Sequence, residues 1–288
     1  MAGLTTSERP RLTAGVLYVV ATPIGNLADA SARAVETLRG VDVVACEDTR
    51  TTRTLLSHYG ISVRTIALHE HNERAQAQKL IELLREGRSI ALVSDAGTPA
   101  LADPGARLVA QAHQAGIAVS PVPGPNAAAA AFSAAGFAAP GFLFAGFLPP
   151  QPAARRKALE ALDTAWPLVL YEAPHRIAET LEDLAARFGA AREIVIGREL
   201  TKKFEEVARL PLGEAIAWLQ ARRERMQGEF VLVVAPGDEK PAAAALDADR
   251  VLDALLEALA PSEAAKLAAR ITGLPRNQLY RKALERQK

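Results

Sequence analysis

The residues best suited to chemistry stand where short apolar runs of this 288-residue chain end. Ile90 to Val93 empties into Ser94-Asp95-Ala96-Gly97-Thr98-Pro99, small, turn-forming and hydrogen-bonding residues fit to hold a compact ligand through main-chain groups. Val41 to Cys46 ends in the charged cluster Glu47-Asp48-Thr49-Arg50, and Val63 to Leu68 runs into His69-Glu70-His71-Asn72-Glu73. Asp48 and Asp95 could serve as the acids of a phosphatase or a magnesium site, or Asp95 could simply cap its Gly-Thr-Pro turn. His69 and His71 share one face of an extended strand, with Glu73 nearby. No cysteine or third histidine stands at ligand spacing, so polar-bonded histidines at a strand end are favoured over a metal. Tyr171-Glu172-Ala173-Pro174-His175-Arg176 and Arg198-Glu199-Leu200-Thr201-Lys202-Lys203 follow two further strands. Arg50, Arg176, Arg198, Lys202 and Lys203 either line a cleft for phosphates or are ordinary surface.

The elements that position these groups alternate. Strands are expected at Val16 to Ala21, Val41 to Cys46, Val63 to Leu68, Ile90 to Val93 and Ile117 to Val122, with helices between them. Asp103-Pro104 reads as an N-cap and first helical residue of a helix that stops at Gly116. After Pro123-Gly124-Pro125-Asn126 comes an alanine-rich helix, and Gly136 to Gly141 looks like a boundary. The second half repeats the pattern through a last strand, Phe230 to Ala235. Such alternation predicts an α/β architecture with a largely parallel sheet in each half. The expected domains are two α/β lobes, 12–135 and 136–236, and, beyond a Pro- and Ala-rich linker from Pro236 to Asp249, a small helical module at 250–288.

Composition narrows the class. Hydrophobic residues make up 49% of the chain, enough for a sizeable core. A single cysteine, Cys46, allows no intrachain disulfide and suits a reducing cytoplasm. The apolar run Gly15 to Ala21 is too short to cross a bilayer, and Met1 to Leu12 lacks the apolar stretch of a signal peptide. There is no G-x-G-x-x-G after the first strand and no G-x-x-x-x-G-K-[ST], so neither a standard dinucleotide site nor a Walker-type site is supported. Net charge is +1, but seven Lys and Arg against one acid from Lys266 onward leave an acidic body and a basic tail. That asymmetry suggests a polyanionic partner.

In this order and spacing, LYVVATPIGNL, ACEDTRTT, HEHNE, VSDAGTPALADPG, PVPGPNA, GFLP, YEAPHR, GRELTKKFE and GEFVLVV resemble the small-subunit ribosomal RNA methyltransferase I family, within the tetrapyrrole methylase superfamily. The resemblance covers Val16 to Ala235 and continues into the C-terminal helices. It implies two α/β lobes with S-adenosylmethionine between them, usually in a homodimer. It also implies 2′-O-methylation of a cytidine in the decoding region of 16S ribosomal RNA, in the cytoplasm and with no membrane association. Carried over by residue, the cofactor site would use Pro23, Ser94, Asp95, Ala96, Gly97, Asn126, Ala127, Tyr171 and Glu172. Glu47, Asp48 and His69 are the candidates for proton acceptor or hydroxyl orientation, with Arg50 and Arg176 as phosphate clamps and Arg198 and Lys202 as further RNA contacts.

In the tail, Val251, Leu252, Leu255, Leu256 and Leu259 predict one amphipathic helix, and Leu267, Ala268 and Ile271 a second that Gly273 breaks. A third, Arg276 to Arg286, is expected to turn Leu279 and Leu284 inward and Arg276, Asn277, Gln278, Arg281 and Lys282 outward. This resembles a helix-turn-helix nucleic-acid module, with Arg276, Arg281 and Lys282 on RNA. The basic tail argues against a tetrapyrrole or a protein side chain as the substrate.

Overall fold

The computed structural model describes residues 12–69, 71–162, 165–237 and 248–286. The chain divides into two compact units, and the larger carries two sheets. Its first half runs β1 (Leu17–Val20), α1 (Ala32–Gly40), β2 (Val43–Cys46), α2 (Thr49–His58), β3 (Arg64–Ala67), α3 (Glu73–Arg85), β4 (Ile90–Val93), α4 (Ala106–Gln114), β5 (Val119–Val122) and α5 (Ala127–Ala135). The strands pair in parallel in the order β3-β2-β4-β1-β5. The near-continuous apolar strands are explained by burial on both faces.

Alternate residues of β1 sort onto different helices. Tyr18 and Val20 pack with Ala34 and Leu38 of α1 and Leu56 of α2, whereas Leu17 packs with Leu80 and Leu84 of α3 and Leu108 and Ala112 of α4. Neighbouring strands β1 and β4 therefore send their following helices to opposite faces. Their carboxyl ends part there and leave a crevice, the position where open α/β sheets take ligands.

The second half runs β6 (Leu143–Phe147), α6 (Pro152–Glu160), β7 (Leu168–Glu172), α7 (Ile177–Phe188), β8 (Glu193–Arg198), β9 (Glu206–Pro211), α8 (Leu212–Gln220) and β10 (Phe230–Val234). Its sheet has the order β6-β7-β10-β8-β9, and only β6 and β7 are parallel neighbours. The expectation of a largely parallel second sheet is thus corrected. The crossover from β7 to β8 skips one position, which β10 fills from the opposite direction, and β8 turns straight back into β9 without a helix. Helix α5 lies on this second sheet, its Ala128, Ala131 and Ala135 against Val169, Val195, Val231 and Val233. Alanine at the buried positions lets the helix approach the sheet closely.

A second correction concerns α4. It begins at Ala106 with Gly105 as N-cap, and Asp103 makes no cap. The orphan amides are satisfied from α3 instead: Gly105 and Arg107 N–H both donate to Glu73 Oε1, at 3.0 and 3.1 Å. A carboxylate at a helix N-terminus also suits the helix dipole, and Asp103 is released for the crevice.

The smaller unit, described by itself, packs α9 (Ala248–Leu256), α10 (Pro261–Thr272) and α11 (Arg276–Glu285) around Leu252, Ala264, Ala265, Ala268, Leu279 and Ala283. Gly273 ends α10 in the left-handed conformation, φ 73°. Leu284, expected inside, is exposed, and Ala283 takes the inner position because it lies one helical turn beyond Leu279. Lys282 turns toward Asp249 and bonds both its carboxylate oxygens at 2.9 Å. Most of the expected linker lies outside the described residues. Among the described residues no helix is long and apolar enough to cross a membrane.

Because Glu73 caps α4, Glu73→Ala is expected to lower the stability of the larger unit in urea by about 1 kcal/mol, whereas Asp103→Ala does not lower it. The reverse order would return the cap to Asp103.

Candidate active site

Thr22, just beyond β1, and Gly97, just beyond β4, exchange two backbone hydrogen bonds of 2.9 and 3.1 Å across the crevice. The Thr22 hydroxyl adds donation to the Ser94 and Gly97 carbonyls at 3.2 and 3.4 Å. Gly97 has φ +86°, and a Cβ there would stand 3.3 Å from the Ile24 side chain, so the residue suits both the turn and the contact. These bonds fix the loops after β1 and β4 as one wall.

A cavity of about 570 Å³ opens beside that wall, within the size range of small-molecule sites. Asp95, Ala96, Gly97, Asn126, Ala127, Tyr171 and Glu172 line it. Pro23 and Ser94 instead line a neighbouring cavity of about 560 Å³, which shares Ile24, Asp95, Ala96, Lys202 and Glu229 with the first. Each lining group has a reason for its place. Asn126 Oδ1 caps α5 by accepting the Ala129 N–H at 2.9 Å, and the Tyr171 hydroxyl accepts the Ala128 N–H at 3.2 Å. Buried Glu172 accepts from Ala173 N–H at 2.8 Å and from the Thr180 hydroxyl at 2.6 Å.

Sequence reasoning passed over several lining residues. Leu101, Phe147, Leu200 and Glu229 line the first cavity; the first three are apolar types that announce no chemistry, and Glu229 stands alone among uncharged neighbours. Asp103, read as a helix cap, lines it too. The available signal was position: each falls at a strand end or within a motif such as Gly-Phe-Leu-Pro.

The candidate proton acceptors stand apart from both cavity linings. Asp48 caps α2, its Oδ1 accepting the Arg50 N–H at 2.7 Å, and its Oδ2 pairs with the Arg50 guanidinium at 2.8 Å. Those bonds hold its carboxyl at about 2. The Asp48 N–H donates to Asp95 Oδ1 at 3.1 Å and so ties α2 to the loop after β4. Glu47 behaves oppositely: burial, then the charges of Asp103, Asp95 and Asp48, push its carboxyl up. Burial also raises Asp103, with Asp95 adding to the effect. His69 holds Asn72 through its backbone, and its Nδ1 is buried with no hydrogen-bond partner among the described residues. Among the described residues no cluster of three His, Cys, Asp or Glu side chains could hold a metal ion.

The cations differ from expectation. Arg176 is no surface clamp, because its guanidinium donates to the Leu148 and Pro149 carbonyls at 2.7 and 3.3 Å and pairs with Glu172 at 3.3 Å. Arg198 is buried, donating to the Gln227 and Phe204 carbonyls at 2.7 and 3.1 Å. Bonds to backbone carbonyls draw both side chains into the lobe. Lys202 faces both cavities, and Arg50, Arg276 and Arg281 are exposed. Lys282 is tied to Asp249 as described.

Comparison with known proteins shows the family and the fold. The Tetrapyrrole (Corrin/Porphyrin) Methylases family model matches residues 16–216, and that of the RsmI C-terminal HTH domain matches residues 242–287. The ribosomal RNA small subunit methyltransferase I of Escherichia coli O157:H7 is 49% identical over 95% of this chain and 96% of its own. That of Pseudomonas aeruginosa is 48% identical over 96% and 99%. The chain belongs to the ribosomal RNA small subunit methyltransferase I family. As a member of this methyltransferase family it is an enzyme. Solved structures share the fold alone: a diphthine synthase superposes with a TM-score of 0.58 at 17% identity, covering 76% of this chain and 90% of its own. A uroporphyrin-III-C-methyltransferase from Thermus thermophilus gives 0.56 at 22%, covering 77% and 94%.

The raised acids of this methyltransferase carry a testable consequence. In the folded state Glu47 and Asp103 hold protons more tightly than in the unfolded chain, so stability falls as pH rises from the ordinary carboxylate range through their folded values. Glu47→Gln and Asp103→Asn are each expected to raise the thermal midpoint at pH 7 by about 2 °C, a gain that disappears below about pH 4 as the native carboxyls become neutral too. Asp48→Asn should lower the midpoint at pH 7, since a depressed carboxyl contributes stability that is lost only as pH falls through about 2. A lower midpoint for Glu47→Gln at pH 7 contradicts this electrostatic picture.

Proposed function

We propose that this protein transfers a methyl group from S-adenosylmethionine to the 2′-hydroxyl of a cytidine in the decoding region of 16S ribosomal RNA. The observation that carries the reading is near-full-length similarity to ribosomal RNA small subunit methyltransferases I, joined to a ligand-sized cavity at the crevice beyond β1 and β4. The chemistry of the cavity suits the cofactor. Asp95, Asp103, Glu172 and Glu229 give it negative walls that favour a sulfonium, and Ile24, Leu101, Phe147 and Leu200 give an apolar surface for a nucleoside base. The residues that would hold the cofactor are Asp95 to Gly97, Asn126, Ala127, Tyr171 and Glu172, with Pro23 and Ser94 shaping the wall from behind.

Bound there, S-adenosylmethionine supplies a methyl already activated by its sulfonium. The protein's share of the work is placement and proton handling. Fixing a ribose oxygen in line with the methyl is worth about 7 to 11 kcal/mol of barrier. A positioned base contributes about 10²- to 10⁴-fold. Asp48, held at about 2 by Arg50, is a weak proton acceptor and serves to orient. Glu47, whose carboxyl is pushed up, and His69, with its buried unpartnered Nδ1, are the better acceptors. Arg276 and Arg281 on the exposed side of α11 are assigned to RNA phosphates, as is Arg50; Lys282 stays with Asp249. We assign the protein to the cytoplasm, acting on ribosomal RNA or the small subunit as a homodimer.

The test uses labelled S-adenosylmethionine and undermodified small ribosomal subunits, followed by alkaline digestion of the RNA. A 2′-O-methyl group blocks cleavage at its own linkage, so the label is expected in an alkali-resistant dinucleotide, and Glu47→Gln is expected to slow its formation about 10²-fold or more while cofactor affinity is kept. Label found only in mononucleotides contradicts ribose methylation.

A further inference from the structure

Among the described residues Lys202 is the only lysine or arginine lining either cavity, and it stands in the wall they share. Four acids line the first cavity, Asp95, Asp103, Glu172 and Glu229, and two of them, Asp95 and Glu229, also line the second. Glu172 is paired with Arg176, so a polyanionic strand entering the second cavity meets Asp95, Glu229 and one ammonium. The loop presenting that ammonium is held more firmly than a connection between β8 and β9 requires. Glu199 and Thr201, both just before Lys202, adopt left-handed backbone, φ 49° and 65°, which side chains disfavour. The Thr201 hydroxyl is buried with no hydrogen-bond partner among the described residues. A Cβ on Gly228 would lie 2.6 Å from Glu199 Cγ, and one on Gly25 would run into the Lys202 stem. Strain of this kind persists where the surroundings over-determine it, and it gathers at functional sites.

Two carboxylates hold the Lys202 ammonium, both at 2.9 Å, but they are not equivalent. Glu199 is 17% exposed and also accepts the Glu229 N–H at 2.9 Å, so it is a fixed anchor. Glu229 is 77% exposed, a partner held by little beyond the ammonium itself. We infer that Lys202 binds a phosphate of the incoming RNA strand at the boundary between the cavities, Glu229 giving up its place to that phosphate while Glu199 keeps the ammonium aimed. The inference rests on the RNA-methyltransferase reading. It assigns the acceptor nucleotide to the second cavity, where exposed Thr51 offers a hydroxyl.

Binding of a ribosomal RNA fragment to the full-length protein, measured across a salt series, tests the exchange. Glu229→Gln removes the competing carboxylate and is expected to tighten RNA binding about threefold, the scale of an exposed ion pair. Lys202→Met keeps the stem and is expected to weaken RNA binding about tenfold and to make the slope of log K against log salt shallower by about 0.7 to 0.9. Circular dichroism of both variants, read alongside, checks that each is folded, so that a change in RNA binding is not one of folding. Unchanged or weaker RNA binding by Glu229→Gln, or an unchanged salt slope for Lys202→Met, overturns the inference and leaves the reading of function intact. A native protein that methylates no ribosomal RNA overturns that reading, and the inference with it.

Discussion

Two backbone hydrogen bonds between Thr22 and Gly97 hold the loops after β1 and β4 together, and the candidate site depends on them. The strands lie side by side, yet their chains leave toward opposite faces of the sheet, α1 on one and α4 on the other. Parting strands would otherwise leave unpaired amides and carbonyls at the crevice. The Thr22–Gly97 bridge satisfies some of them and turns two loops into a wall. Every other contribution is placed against that wall: Asp95 reaches the Asp48 amide, Thr98 donates to the Pro125 carbonyl at 3.1 Å, and α5 begins where the cavity opens.

Charge is distributed around this wall at some cost in stability. Glu47 and Asp103 are pushed up by burial and by neighbouring carboxylates, an arrangement that a core optimised for stability alone would avoid. Asp48 escapes the same fate because Arg50 and the start of α2 compensate it. One lysine, Lys202, faces the acids from a strained loop of the second sheet. A cluster of acids beside a single held cation is a sensible setting for a cationic cofactor and an anionic substrate meeting at one point.

Much of this was legible in the sequence because the informative residues are neighbours along the chain. Ile90 to Val93 and the turn residues after it declare a buried strand and the loop at its end within ten positions, and the ordered motifs carried the family. What escaped depends on distant partners. The direction of β10 follows from a gap left by a crossover, which alternation of strands and helices cannot reveal. Asp103 looked like a cap because the competing carboxylate, Glu73, comes from another helix. Arg176 and Arg198 looked like RNA contacts because the carbonyls that claim them belong to other loops. Phe147 and Glu229 reach the cavity from the second sheet, and their types gave no hint of it.

The central claim is that the crevice fixed by Thr22 and Gly97 is the cofactor site. Amide hydrogen exchange with and without S-adenosylhomocysteine, the product form of the cofactor, tests it most directly. Slowed exchange is expected in the segments 95–103, 126–129 and 171–173, with little change across α9 to α11. Protection confined to segments away from the crevice, under conditions where the ligand is bound, would contradict the account.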